Sequence, residues 1–172
     1  MNRRLFTSVL FACLLPFMVQ AQQAVFRFAQ LTDIHLSPNN PNPTEDLLRS
    51  IAQINATDSI DFVLVTGDIA EEGDRTTMEK VKSCLDLLKV KYYVVLGNHE
   101  TKWSDSGCTA FGEIFGGERF EFEHKGFLFL GFNSGPLMRM AYGHVVPQDI
   151  RWMTETMERY NAGNSRPDKP VI

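Results

Sequence analysis

Phe62-Val63-Leu64-Val65-Thr66-Gly67-Asp68 is a run of four apolar residues closed by a turn and an acid. A continuous apolar run this short, rich in β-branched residues, is a strand buried on both faces. Strands of that kind sit in parallel sheets with helices packed on them, so the flanking sequence should alternate between strand and helix.

It does. Upstream, residues 25–31 (Val-Phe-Arg-Phe-Ala-Gln-Leu) predict a strand ending at Thr32-Asp33. A loop over 37–43 holds three Pro and three Asn. Thr44 is the expected N-cap of a helix, with Glu45 and Asp46 in its first turn. Leu47, Leu48, Ile51 and Ile54 then make one apolar stripe running to about residue 56. Downstream, Asp74 is expected to cap a helix over 75–89, followed by a second buried strand, Tyr92-Tyr93-Val94-Val95-Leu96. Past this point the pattern changes. Arg119-Phe120-Glu121-Phe122-Glu123 alternates strictly, and Phe127-Leu128-Phe129-Leu130 follows a turn at His124-Lys125-Gly126, which predicts an antiparallel hairpin at one edge. Pro147 opens a last helix over 148–160 with Ile150, Met153 and Met157 inward. A polar turn over 161–170 leads to Val171-Ile172, expected to begin another buried strand. The fold class is therefore α/β, mostly parallel strands flanked by helices, with an antiparallel hairpin.

The N-terminus reads differently. Asn2-Arg3-Arg4 is basic, residues 5–19 are mostly apolar, and Val19-Gln20-Ala21 ends on a small residue. That is the order of a signal peptide over 1–21, cleaved before Gln22. The protein is thus expected to be exported, to the periplasm or beyond, with no transmembrane segment after cleavage; residues 22–172 form the N-terminal part of one domain. Loss of residues 1–21 takes the net charge from −4 to −6. An acidic surface lacks the basic footprint of nucleic-acid binding. It does not exclude small phosphorylated substrates, because bound cations would invert the local sign. Of the remaining cysteines, Cys84 falls on the apolar face Val81, Cys84, Leu85, Leu88 and is expected to be a free, buried thiol.

Chemistry concentrates at three strand ends: Asp33-Ile34-His35, Gly67-Asp68 and Gly97-Asn98-His99-Glu100. In open α/β sheets ligands bind at the carboxyl ends of strands, so these distant residues can share one crevice. Asp33 and Asp68 are 35 residues apart, and Asp68 and Asn98 are 30 apart; each gap suits one βαβ crossover. Asp and His are ligands for Zn, Fe or Mn, and Asn adds a neutral carbonyl oxygen. A carboxylate on the middle element could bridge two ions about 3.5–4 Å apart and bring a bound water towards deprotonation near neutral pH. Taken singly, each block could be an ordinary turn or cap.

At these residues the chain resembles the calcineurin-like metallophosphoesterases, in particular their cyclic-nucleotide-phosphodiesterase-like and purple-acid-phosphatase-like branches. The family pattern D-x-H, G-D, G-N-H-[D/E] is matched by Asp33 with His35, Gly67 with Asp68, and Gly97 to Glu100. The resemblance implies two divalent metal ions (Mn, Fe, Zn or similar). Asp33, His35 and Asp68 would hold the first, Asp68 would bridge to the second, and Asn98 would bind that second ion. His99 would be catalytic, near the leaving oxygen. The implied activity is hydrolysis of a phosphomonoester or phosphodiester, on a small phosphorylated substrate, by a hydroxide that two metals activate. His144, before the last helix, is a candidate substrate contact; His124 is expected to be a solvated turn residue.

The family's later His and its G-H-x-H have no counterpart in these residues. They are expected to lie beyond Ile172, so the 172 residues alone are expected to bind metal weakly and to be inactive. Two other functions remain open at this point. One is a decayed scaffold of the same fold. The other is a sugar- or nucleotide-binding α/β domain whose polar residues contact ligand without metal.

Overall fold

The computed structural model describes residues 25–102, 104, 106–135, 142–163 and 172. The expected signal peptide, residues 164–170 of the expected polar turn and Val171 lie outside them. Three strands, β1 (Phe28–Leu31), β2 (Phe62–Thr66) and β3 (Lys91–Val95), form a parallel sheet in the order β1-β2-β3. The register pairs Phe28 with Phe62 and Leu64 with Tyr93. Two helices make the crossovers, α1 (Asn42–Ala56) and α2 (Arg75–Leu85).

The alternation of β2 sorts its neighbours into two layers. Val63 and Val65 face the helices and join a core with Leu36, Leu47, Ile51, Met78, Val81 and Leu85. Phe62 points the other way, onto the hairpin of β4 (Phe120–His124) and β5 (Phe127–Gly131), with ring centroids 5.1 Å from both Phe122 and Phe129. Tyr93, on the same face, stacks on Phe122 at 3.7 Å. The expected α/β architecture is present, and the hairpin is a two-stranded antiparallel sheet joined to the parallel one through these rings.

α5 (Pro147–Ala162) covers the outer face of the hairpin. Its docking is polar. Arg119 Nε donates to Asp149 at 2.6 Å, and the Thr156 hydroxyl donates to Glu121 at 3.0 Å. Asp149 and Thr156 are the buried residues of this helix, whereas Ile150 is 52 % exposed. The expectation of Ile150 inward is corrected: charge on the hairpin's outer strand selects which face of α5 turns in.

Other boundaries shift for local reasons. β1 starts at Phe28, opposite Phe62, later than expected; just before it the Arg27 N–H turns to the Asp61 side chain at 3.0 Å, and the Phe26 ring packs on Phe127 and Phe129. α1 begins at Asn42, so Thr44 lies inside its first turn and is not the N-cap; Pro43, with its fixed φ and no N–H, suits that start. Asp74 does cap α2, accepting from the Thr77 N–H at 2.9 Å. α2 stops at Leu85, short of residue 89, as the backbone tightens into i to i−3 bonds from Leu87 and Leu88. Two short helices, α3 (Asn98–Lys102) and α4 (Thr109–Phe115), were not anticipated; neither is long enough to show a period. His124 is not a solvated turn residue, since its ring meets Phe26 and Phe62 and its Nε2 is 3.3 Å from Asp61. Cys84 is a free, buried thiol. Ile172 exchanges backbone hydrogen bonds with Leu128 and Leu130, the pattern of a parallel partner for β5. Among the described residues no helix is long and apolar enough to cross a membrane.

Candidate metal centre

β1 and β2 end side by side, and the segments beyond them stay paired. The Asp33 N–H donates to Gly67 O at 3.2 Å, His35 N–H to Asp68 O at 2.9 Å and Leu36 N–H to Ile69 O at 3.0 Å. The pairing forces unusual backbone. Asp33, His35 and Asp68 take φ of 53°, 49° and 51°. The left-handed region is uncommon for residues with a Cβ and unfavourable by about 1–2 kcal/mol each. Such strain persists only where surrounding contacts fix it, and it clusters at functional sites. Here it falls on three of the four residues that the sequence pattern proposes as ligands.

Its consequence is convergence. Asp33, His35 and Asp68 can each offer one ligand atom, all within 4.8 Å of one another. His35 Nε2 lies 3.8 Å from Asp33 Oδ1. Two carboxylates and an imidazole are a donor set for a borderline divalent ion, and their partial exposure leaves the site open to solvent and substrate. The residues present therefore fit the metal that the sequence pattern implies.

The third strand end is brought against this group by two glycines. A Cβ on Gly97 would stand 2.1 Å from Asp68 Oδ1, and one on Gly67 would stand 2.6 Å from the Gly97 Cα. Gly67 also has φ of 91°. Only glycine permits so close an approach of the two turns. His99 then donates its backbone N–H to Asp68 Oδ1 at 2.9 Å. Its ring meets that of His35 edge-on, centroids 4.6 Å apart. Asn98 is exposed at the first position of α3, beside His99.

Glu100 underlies the whole arrangement. Its carboxylate is fully buried and accepts four backbone N–H groups: Asp68 at 3.0 Å, Ile69 at 2.9 Å, Ala70 at 3.0 Å and Gly97 at 2.8 Å. Burial pushes its pKa up, opposed by the bonds from Ala70 and Gly97, with the Asp68 charge pushing it further up. One side chain thus ties the turn after β2 to the turn after β3. The sequence pattern implies no role for Glu100, and nothing in it singles out Glu71, whose carboxylate meets His35 Nδ1 at 2.8 Å. Glu71 sits in the run Glu71-Glu72-Gly73-Asp74, which reads as an acidic turn. Its signal is only that it stands three residues after Asp68.

His144 lies elsewhere. It lines a cleft of about 580 Å³ with Thr101, Cys108, Glu118, Asn133 and Asp149. None of Asp33, His35, Asp68, Asn98 or His99 lines that cleft. The link between the two places is Thr101, whose hydroxyl bonds to Gly97 O and Asn98 O at 3.2 and 3.3 Å. Burial pushes the Cys108 thiol up to about 11, with the Glu118 and Glu100 charges adding to it. A thiol so held supplies no thiolate nucleophile at neutral pH.

Residues 26–167 match the sequence profile of the calcineurin-like phosphoesterases. The chain belongs to that family. Among curated proteins it is similar to a 3',5'-cyclic-nucleotide phosphodiesterase of Nostoc sp., 23% identical over 76% of this chain and 50% of the relative. A probable cyclic nucleotide phosphodiesterase of Rhodopseudomonas palustris is 31% identical over 53% of this chain and 33% of the relative. An uncharacterized Bacillus subtilis protein, YvnB, is 25% identical over 66% of this chain and 10% of its own length. The chain therefore spans half, or less, of these relatives. The left-handed Asp33, His35 and Asp68 all lie within the matched residues.

Proposed function

We propose that the protein is a metal-dependent phosphoesterase acting on a small phosphorylated substrate. The observation that carries this is the convergence of Asp33, His35 and Asp68 within 4.8 Å at the ends of two parallel strands. Asp33, His35 and Asp68 would hold a first divalent ion. Asp68 and Asn98 would hold a second, Asp68 being shared. Such ions supply Lewis acidity and, for a bound water, a pKa near neutrality. The chain's own residues do the rest. Asp68 is held by the His99 N–H and by Glu100 through its own N–H, so its carboxylate stays aimed at Asp33 and His35. His99, beside this group, is proposed to give a proton to the leaving oxygen; general acids of this kind contribute typically about 10²–10⁴-fold. His144 is proposed to touch the substrate from the neighbouring cleft.

The relatives named as cyclic nucleotide phosphodiesterases support a phosphodiester such as a cyclic nucleotide as substrate, with phosphomonoesters the alternative class. No nucleic-acid partner is proposed, because the net charge is negative. Export of the chain with removal of residues 1–21 is part of the same proposal, and N-terminal sequencing of the mature protein tests it. The activity is tested on the full-length protein, with an aryl phosphate diester and with cyclic nucleotides. Hydrolysis should require added manganese or zinc, stop with a chelator, and fall nearly to background in Asp68→Asn. Turnover that survives both chelation and Asp68→Asn refutes the proposal.

A further inference from the structure

Two histidines face the same crevice, and in each neutral ring the nitrogen free of hydrogen is the one able to bind an ion or to take up the proton that a general acid later gives. What fixes that choice is the other nitrogen's partner. For His35, Nδ1 is 2.8 Å from Glu71 Oε2. For His99, Nδ1 is 2.5 Å from the main-chain oxygen of the same residue. An ionised carboxylate and a carbonyl are both acceptors only. Each Nδ1 must therefore be the protonated nitrogen, and each Nε2 is left bare in the neutral ring.

We infer that Glu71 is the positioning residue that sets both tautomers, its side chain acting on His35 and its main chain on His99. The direction is productive for His35, because the bare Nε2 is the atom that lies 3.8 Å from Asp33 Oδ1. The placement of Glu71 comes from the fold. Its N–H donates to Leu36 O at 2.8 Å, next to the parallel bridge between Leu36 and Ala70, which sets Glu71 beside His35. The turn then reverses at Gly73, φ 58°, where a Cβ would stand 2.5 Å from His99 O. That contact presses the turn onto the start of α3 and brings the Glu71 carbonyl to the His99 ring. His35, Glu71 and His99 also form a compact donor group by themselves. With both Nδ1 atoms engaged as donors, that group is a hydrogen-bonded support and not a second metal cage.

This inference rests on the metal-centre reading for its use, but its test does not. Imidazole ¹⁵N spectra of the protein, above the ordinary imidazole pKa of about 6.5, report each tautomer without metal or substrate. Wild type should show Nδ1–H on His35 and His99. Glu71→Ala should release His35 to a tautomer mixture and leave His99 unchanged, because the main-chain carbonyl remains. Glu71→Gln should keep the Nδ1–H form of His35 through its amide oxygen. The side chain of Glu71 is 45% exposed, so neither substitution opens the core. In parallel, manganese titrated calorimetrically should bind about 10- to 100-fold more weakly to Glu71→Ala, the usual effect of removing a carboxylate behind a ligand histidine, and less so to Glu71→Gln. An Nε2–H tautomer on either histidine in the wild type overturns the inference. So does a Glu71→Ala variant in which the His35 tautomer is unmoved. Absence of manganese binding by a wild type with both Nδ1–H forms would instead remove the metal-centre reading and uphold the tautomer assignment.

Discussion

Replacing Glu100 by Ala removes the acceptor of four backbone N–H groups at one stroke. The donors are not equally placed. Those of Ile69 and Ala70 are buried, whereas those of Asp68 and Gly97 are partly buried and within reach of water. Leaving a buried donor unsatisfied costs about 1–3 kcal/mol. The two buried donors alone therefore set a loss of about 2–6 kcal/mol, a large share of the roughly 5–15 kcal/mol that stabilises a domain. Relief of the buried carboxylate's own desolvation, which pushes its pKa up, draws the figure toward the lower end. Glu100→Gln separates the parts. Oε1 serves Ile69 and Ala70 while Oε2 serves Asp68 and Gly97. An amide can satisfy one pair and must turn an NH₂ group on the other. With its oxygen on the buried pair, Gln should lose less than Ala. Urea unfolding of the three proteins, followed by circular dichroism, gives the differences directly. A Glu100→Ala variant within about 0.5 kcal/mol of wild type, the range of an ordinary surface substitution, would refute this account of how the two turns are held.

Gly97→Ala should drive a methyl group into Asp68, whose Oδ1 and N would lie 2.1 and 2.2 Å from it. Manganese affinity, measured calorimetrically, should drop by about 10- to 100-fold, as when the support of a ligand is lost, and an unchanged affinity would count against the close approach. Burial, and then the 2.6 Å hydrogen bond to Asp86, push Tyr92 up to about 12. The folded chain therefore holds this proton more tightly than the unfolded one, whose tyrosines titrate near about 10. Its contribution to stability is full below about pH 10 and is lost as pH rises towards about 12. Urea midpoints across that window should fall in wild type and fall less in Tyr92→Phe; parallel profiles would contradict the assignment.

The parallel strands were legible because Phe62-Val63-Leu64-Val65 and Tyr92-Tyr93-Val94-Val95 are apolar on both faces, a pattern that few other structures satisfy. Asp33, His35 and Asp68 were legible as a group because each ends or follows such a strand at a crossover spacing. Glu71 and Glu100 were not, since their roles lie in what their carboxylates accept. A carboxylate that accepts from backbone leaves no periodic trace in sequence. The docking face of α5 was hidden for a related reason. Apolar spacing suggested Ile150, but Arg119 and Glu121 on the hairpin draw in Asp149 and Thr156. Thr44 as a cap lost to Pro43, whose preference for a helix's first turn moved the start of α1 upstream. The burial of His124 is not legible from the turn beside it, because the Phe26 and Phe62 rings that cover it come from the segment before β1 and from β2.

We propose Asp33, His35 and Asp68 as ligands of one divalent ion. Crystals of the protein grown with zinc, measured on both sides of the zinc absorption edge, test it without reference to any substrate. An anomalous peak is expected within coordination distance, about 2.0–2.2 Å, of a carboxylate oxygen of Asp33, of Nε2 of His35 and of a carboxylate oxygen of Asp68. A peak bound through His35 Nδ1, or zinc bound elsewhere while these three side chains stay bare, would contradict it.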